Sequence, residues 1–275
     1  MKIGYLGPEG SYSYTAAKCY APQGTLISMR GFREIIQGVE NGTIEEGILP
    51  IENSTEGAVT QTMDALMETV DSKIKGELVL QIRHNLLSLG ESIGEINYVA
   101  SHPQALEQCR EFLATHYPHA VLIPSESSSA ACQMIKEKDQ ASAYAAIANS
   151  WAGENNGLKT LCKDIQDNKN NQTRFIIIGI EDTITTGNDK TSIAFSFHED
   201  YPGSLYGILR EFAQEKINLT RVESRPAKAE LGKYIFYIDF NGHGEDQKCK
   251  SVLERIRKEV NKFKIFGSYP IGRVY

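Results

Sequence analysis

Asp167-Asn-Lys-Asn-Asn171-Gln-Thr173-Arg174-Phe175-Ile-Ile-Ile178 is a polar run that feeds without a break into an apolar strand. Thr173 and Arg174 therefore stand where the chain leaves a proposed cleft and enters the strand. Arg174 offers a planar fork for a carboxylate and Thr173 a short hydroxyl donor. The competing reading of the same residues is a loop with one solvated Arg. Just upstream, 158–167 reads as a chain crossing between two lobes, and 74–89, which has no helical stripe, reads as a longer one. Around these crossings, apolar strands at 2–6, 25–29, 47–51, 98–101, 120–124, 142–146 and 174–180 alternate with helical patterns. In one helix Ala105, Leu106, Cys109, Phe112 and Leu113 recur at three-and-four spacing behind Ser101-His102-Pro103. Such alternation predicts a mainly parallel α/β sheet covered on both faces, and two lobes joined by two crossings enclose a cleft.

Downstream the order changes. Residues 181–189 are polar and turn-rich, a linker. A strand at 191–197, a helix at 203–216, strands at 218–224 and 233–241, a helix at 247–260 and a strand at 263–269 follow. That is βαββαβ, the ferredoxin-like order of an α+β unit. The chain therefore divides into a two-lobed α/β unit, 1–182, and a second unit, 190–275.

The 275 residues carry 29 Lys and Arg against 35 Asp and Glu, a net charge of −6. Two domains can each bury a core at this length, and the acidic balance argues against a nucleic-acid scaffold. The five cysteines are isolated, with no C-x-x-C pair, and the six histidines show no metal-ligand spacing. Neither a metal site nor a disulfide framework is expected. The start at Met1 reads directly as strand and turn, and no apolar run approaches the ~18 residues of a membrane span. A cytoplasmic protein without membrane association is the expectation.

Three polar clusters compete for the cleft. Gly4-Tyr-Leu-Gly7-Pro8-Glu-Gly10 has the wrong spacing for a dinucleotide fingerprint and carries Pro inside the loop. It can present Ser11, Ser13 and free amides at a helix N-terminus to a carboxylate, or those serines can simply cap the helix. Pro50-Ile-Glu52-Asn53-Ser54-Thr55-Glu56-Gly57 ends a strand where Asn53 and Ser54 can orient a ligand, with helix capping as the alternative. His102 reads better as a local hydrogen-bonding group at a helix start than as a catalytic base.

Taken together, Gly7-x-x-Gly10-Ser11-Tyr12-Ser13, Glu52-Asn53-Ser54-x-x-Gly57-x-Val59, Ser101-His102-Pro103-Gln104-Ala105-Leu106-x-Gln108-Cys109 and Asn171-x-Thr173-Arg174-Phe175 resemble, in order, the motifs of prephenate dehydratases. Pro202-Gly203-Ser204-Leu205 and Ile217-Asn218-Leu219-Thr220-Arg221-Val222-Glu223-Ser224-Arg225-Pro226 resemble the ACT domain attached to them. The likeness covers essentially the whole chain. Ser11 replaces the family's usual Thr, and Ser127-Ser128 its usual Ser-Thr; both keep a hydroxyl. No chorismate-mutase segment precedes Met1, so the monofunctional version is expected.

The resemblance implies a two-lobed, periplasmic-binding-type catalytic domain followed by an ACT domain. It implies conversion of prephenate to phenylpyruvate, carbon dioxide and water in phenylalanine biosynthesis, without cofactor or metal. Thr173 would be the catalytic residue. Arg174, Ser11, Asn53 and Ser54 would hold the substrate carboxylates, Phe175 would pack beneath, and Ser101 and Asn171 join them as substrate-binding positions. Gly203, Ser204, Leu205, Asn218, Leu219, Glu223, Ser224, Arg225 and Pro226 would bind L-phenylalanine as an inhibitor between subunits, which implies a homodimer or homotetramer. Two readings compete: arogenate dehydratase, one substrate amine away, and a non-catalytic small-molecule sensor. The latter is disfavoured because no export leader and no DNA-binding segment are read.

Overall fold

The computed structural model describes all residues except 92, 93, 95, 139, 140, 200 and 228–232. The first lobe contains β1 (Lys2–Leu6), α1 (Tyr12–Tyr20), β2 (Thr25–Met29), α2 (Phe32–Glu40), β3 (Glu46–Asn53), β4 (Gly57–Ala58), α3 (Thr60–Met67) and β5 (Lys73–Gln81). The second contains β6 (Asn85–Ser88), β7 (Tyr98–Ser101), α4 (Pro103–Glu107), α5 (Arg110–His116), β8 (Val121–Pro124), α6 (Ser128–Lys136), β9 (Tyr144–Ala148), α7 (Ser150–Asn155) and β10 (Lys159–Cys162). The chain then returns to the first lobe as β11 (Gln172–Gly179).

The first sheet runs β2-β1-β3-β11-β5, with β4 paired to β3, and the second β10-β6-β9-β7-β8. Among the described strands of these two sheets, the parallel ladders join β1 to β2 and β3, and β7 to β8 and β9. The sheets are thus mixed rather than mainly parallel. A strand that arrives directly from the other lobe needs no helical crossover, so β11 and β6 run antiparallel to their neighbours. The first crossing is two strands, β5 and β6, one in each sheet. The second lies beyond β10, at 163–171, because 159–162 pairs with β6. Helix α2 shows how the first sheet is covered: Ile35, Ile36 and Val39 make one apolar stripe, and all three are buried in the first lobe's core. The predicted single helix behind Ser101 is split into α4 and α5 at Gln108-Cys109, and its N-cap is His102.

The remainder forms β12 (Asp189–Ser196), α8 (Ser204–Gln214), β13 (Leu219–Pro226), β14 (Tyr234–Asn241), α9 (Gln247–Glu259) and β15 (Lys262–Pro270), with sheet order β13-β14-β12-β15, antiparallel throughout. Its helices cover one face through Phe195, Ile208, Phe212, Phe240, Val252 and Ile256. The other face lies against the first lobe: Ala194, Tyr237, Phe266 and Tyr269 share one core with Ile51, Met63, Leu66, Ile74 and Ile176. Gly267 stands where β15 approaches β5, and a Cβ there would meet the Ile74 carbonyl at 2.2 Å. Residues 272–275 continue past β15 to lie beside β5, with the Val79 amide donating to the Arg273 carbonyl at 2.9 Å and the Tyr275 amide to the Val79 carbonyl at 2.8 Å. Among the described residues no helix is long and apolar enough to cross a membrane.

Candidate active site

Between the lobes lies a cavity of about 350 Å³. Its lining includes Ser11, Tyr12, Asn53, His84, His102, Gln108, Ser127, Asn149, Asn171 and Thr173, and among the described lining residues there is no Lys or Arg. Ser11, His102, Ser127 and Asn149 are the N-caps of α1, α4, α6 and α7, each accepting a backbone N–H of its own helix. Four helix N-termini therefore meet at the cavity; the two longer ones, of α1 and α6, turn free amides and the positive end of a dipole toward it, with the carboxylate of Glu126 also in the lining.

The polar chain around Thr173 can be oriented from its backbone anchors. Asn53 Oδ1 accepts from the amides of Thr55 (2.9 Å) and Glu56 (3.0 Å), which only an oxygen can do. Asn53 Nδ2 must then donate, and it donates to Thr173 Oγ1 at 2.8 Å and Asn171 Oδ1 at 2.9 Å. The hydroxyl proton of Thr173 is left for another partner. Asn171 Nδ2 donates to Gln108 Oε1 (3.1 Å), and Gln108 Nε2 donates to the Glu56 carboxylate (3.1 Å). Gln108 Oε1 also receives His84 Nε2 (2.9 Å), so that nitrogen carries the proton. Nδ1 of His84 faces the Tyr12 hydroxyl at 3.0 Å. Burial holds the His84 pKa below its usual value, against the hydrogen bond that His84 donates to Gln108, and burial pushes the Tyr12 phenol well up. Glu56 reaches across to Gln104 and Gln108 of the second lobe and so ties the lobes together.

The expected site residues separate into two groups. Ser11, Asn53, Asn171 and Thr173 line the cavity. Ser101 does not: it is fully buried, donates to the Ile147 carbonyl at 2.6 Å and lies 3.1 Å from the Ser128 hydroxyl. Ser54 is turned to the crossing at 163–171, accepting from the Gln172 amide at 2.9 Å. Phe175 is buried in the core with Tyr5, Tyr14 and Leu78. Arg174, expected to grip a substrate carboxylate, does not line the cavity. Successive side chains of a strand point to opposite faces, so with Thr173 in the cleft Arg174 is sent to the back of the sheet. There its guanidinium is bonded to Glu52 (3.2 Å), Glu77 (3.0 Å) and Asp239. The sequence reading passed over Tyr12, His84, Gln108 and Asn149 as cleft residues. Tyr12 and Gln108 lay inside the quoted motifs, but His84 and Asn149 carried no local signal.

The sequence model of the family described as prephenate dehydratase matches residues 3–183. The prephenate dehydratase of Methanocaldococcus jannaschii is 40% identical over 274 residues, spanning 97% of both chains. The chain belongs to the prephenate dehydratase family. Among solved structures, a prephenate dehydratase from Arthrobacter aurescens in complex with L-Phe superposes with a TM-score of 0.88 at 32% identity, covering 98% of this chain and 90% of that one. A protein described as a novel type of quorum-quenching acylase superposes with a TM-score of 0.89 at 26% identity, covering 98% of both.

Of the positions expected to bind an effector, Gly203, at φ +96°, is the N-cap of α8, and Ser204 and Leu205 open that helix. Glu223 to Pro226 end β13 at the same end of the sheet, because Pro226 pairs with Tyr234 and Phe236 with Phe195. Asn218 and Leu219 lie at the far end, beside Asn241 and Phe240. Arg225 is engaged by Asp64 of α3 at 3.0 Å. One copy of the chain does not bring the whole set together.

Proposed function

We propose that this protein is a prephenate dehydratase in which Thr173 donates its hydroxyl proton toward the departing C4 hydroxyl of prephenate while the ring carboxylate leaves as carbon dioxide. The observation that carries this is the orientation of Asn53, whose amide is fixed as a donor to Thr173 Oγ1 and leaves the Thr173 proton unspent. Aromatisation of the ring supplies the driving force, so the site needs orientation and help for the leaving group. A threonine is a weak acid in water. Held between the two lobes it acts as a fixed donor that stabilises developing negative charge. The two substrate carboxylates are received at the N-termini of α1 and α6, by Ser11 and Ser127 to Ser129, with Asn171 beside them. The reaction as written uses no cofactor or metal.

An acylase chemistry needs a base on its nucleophile, and the partner of Thr173 Oγ1 is an amide donor that cannot take a proton. The test is incubation with prephenate, followed by the absorbance of enolised phenylpyruvate in alkali. No signal from folded protein would remove this reading, and a higher kcat/KM for arogenate would replace it with arogenate dehydratase.

The same reading assigns catalysis to residues 1–182 and gives 190–275 the role of an ACT domain that binds L-phenylalanine as an inhibitor. It is supported by the βαββαβ order, by the left-handed Gly203 at a helix start and by the L-Phe bound to the Arthrobacter aurescens relative. Because Gly203 and Asn218 stand at opposite ends of the sheet, the effector site is completed by a second copy, in a homodimer or homotetramer. The protein is read as a cytoplasmic enzyme of phenylalanine biosynthesis.

A further inference from the structure

The back of the catalytic strand is not solvent. Thr173 pairs in register with Asn53, and the next rung pairs Arg174 with Glu52. On the cleft face the first rung is joined by the Asn53 to Thr173 hydrogen bond, and on the opposite face the second is joined by Arg174 Nε to Glu52 at 3.2 Å. The ladder between β11 and β3 slips immediately afterwards, between Arg174 and Phe175. On its other side β11 stays in register with β5 from Gln172 to Ile177, so the bulge loosens only the β3 side of the rung, and there the two side-chain bonds add to the backbone pairing.

Arg174, with 10% of its side chain exposed, spends its three nitrogens on three strands: Nε on Glu52 of β3, Nη1 on Glu77 of β5 and Nη2 on Asp239 of β14. Asp239, 4% exposed, belongs to the C-terminal sheet and also faces Arg221 of β13 at 3.7 Å. Glu77 is held in addition by Lys190 of β12 at 2.7 Å and by the Gly272 amide at 3.3 Å. Three cations, Arg174, Arg221 and Lys190, and two carboxylates, Glu77 and Asp239, thus sit largely buried behind the Thr173–Asn53 pair, with the more exposed Glu52 at their edge. In a low-dielectric interior a forked guanidinium fixes its backbone in position and angle, which a single apolar contact does not.

We infer that Asp239 of the C-terminal sheet is a positioning residue for the reaction, acting through Arg174 to hold Thr173 at its hydrogen bond with Asn53. The inference rests on the role proposed for Thr173. It makes the C-terminal sheet part of the catalytic assembly, and any shift of β14 is transmitted to the neighbour of the catalytic hydroxyl.

The test uses the full chain with prephenate and compares Asp239→Asn, Arg174→Gln and the double variant, each checked for folding by circular dichroism. The singles are expected to lower kcat roughly tenfold with KM within about twofold, the loss of a transition-state contact rather than of binding. The double is expected to lose no more than the worse single, because both substitutions break one connection. Wild-type kcat in folded singles overturns the inference, as does multiplication of their effects in the double or a change confined to KM. Should a buried, half-empty ion cluster prevent folding, Arg174→Lys keeps the charge but not the three-way fork, and an unchanged kcat there overturns it equally. Thr173→Ala, run alongside, separates the two levels. Near-wild-type turnover in that variant removes the reading of the site and this inference together. An inactive Thr173→Ala beside an unaffected Asp239→Asn removes the inference alone.

Discussion

Thr173 has one proton to give, and its surroundings decide where it goes. Asn53 is oriented by two backbone amides, so it can only donate to the Thr173 oxygen. Thr173→Ala is therefore expected to fold normally and lose ~10²–10⁴ in kcat, while Thr173→Ser keeps much of it; steady-state kinetics of both variants check this. At the other end of the polar chain, His84 is kept neutral by burial, its pKa lowered from 6.5. A folded-state pKa below the unfolded one means that, below 6.5, the unfolded chain binds a proton the folded chain refuses. Stability is then full above about pH 6.5 and falls as the pH drops, by at most ~1.4 kcal/mol per unit from this group. Melting curves from pH 7.5 to 5 should show that decline, and His84→Gln should flatten it. An equally steep decline in the variant would assign the acid sensitivity elsewhere.

Helices matter here for their ends more than their stripes. Helix α6 begins at the cavity wall, capped by Ser127, whose Oγ accepts the Ala130 amide at 3.0 Å. Replacing Ser127 by Ala removes the cap and should cost about 1 kcal/mol of stability. Asp is an equally good cap but sets a negative charge where a substrate carboxylate is proposed to sit. Ser127→Asp should therefore melt near the wild type yet raise KM for prephenate at least tenfold. A normal KM would move the substrate away from this helix end. At the other end of an element, Lys264 of β15 donates to the carbonyls of Leu66 (2.9 Å), Met67 (3.3 Å) and Thr69 (2.5 Å), closing the C-terminus of α3 from the opposite sheet.

For the whole molecule, the shared core and the ion cluster bear on how separable residues 1–182 are. That fragment keeps Ser11, Asn53, Asn171 and Thr173 but loses Asp239 and Lys190 and uncovers Ile51, Met63 and Ile176. It is expected to dehydrate prephenate with a kcat no higher than Asp239→Asn, to melt well below the full chain and to be insensitive to L-phenylalanine. Assay and calorimetry of the fragment beside the full chain check all three, and inhibition of the fragment by L-phenylalanine would place the effector site outside the C-terminal sheet. In the full chain, Gly203→Ala should weaken L-phenylalanine inhibition with turnover kept. A Cβ at φ +96° strains the cap of α8 without meeting any neighbour. Undiminished inhibition in this variant would remove Gly203 from the effector site.

The βαββαβ order of the C-terminal unit, the presence of two crossings between lobes and the placing of Thr173 and Asn53 at strand ends were legible in the sequence, since each follows from local periodicity and turn chemistry, whereas β4, β5, β6 and β10 were not read as strands. Strand alternation also dictates that Thr173 and Arg174 face opposite ways. Which of them meets the cleft was not legible, because β11 is covered on both faces and its apolar run, Phe175-Ile-Ile-Ile178, shows no inward and outward pattern. Only the tertiary structure decided it, by bringing Asp239 from 65 positions further along the chain to the back of the sheet. A charge that is satisfied by so distant a partner leaves no trace among its sequence neighbours, and a lone Arg beside Thr173 therefore reads as a ligand at the cleft although its side chain is bonded behind the sheet.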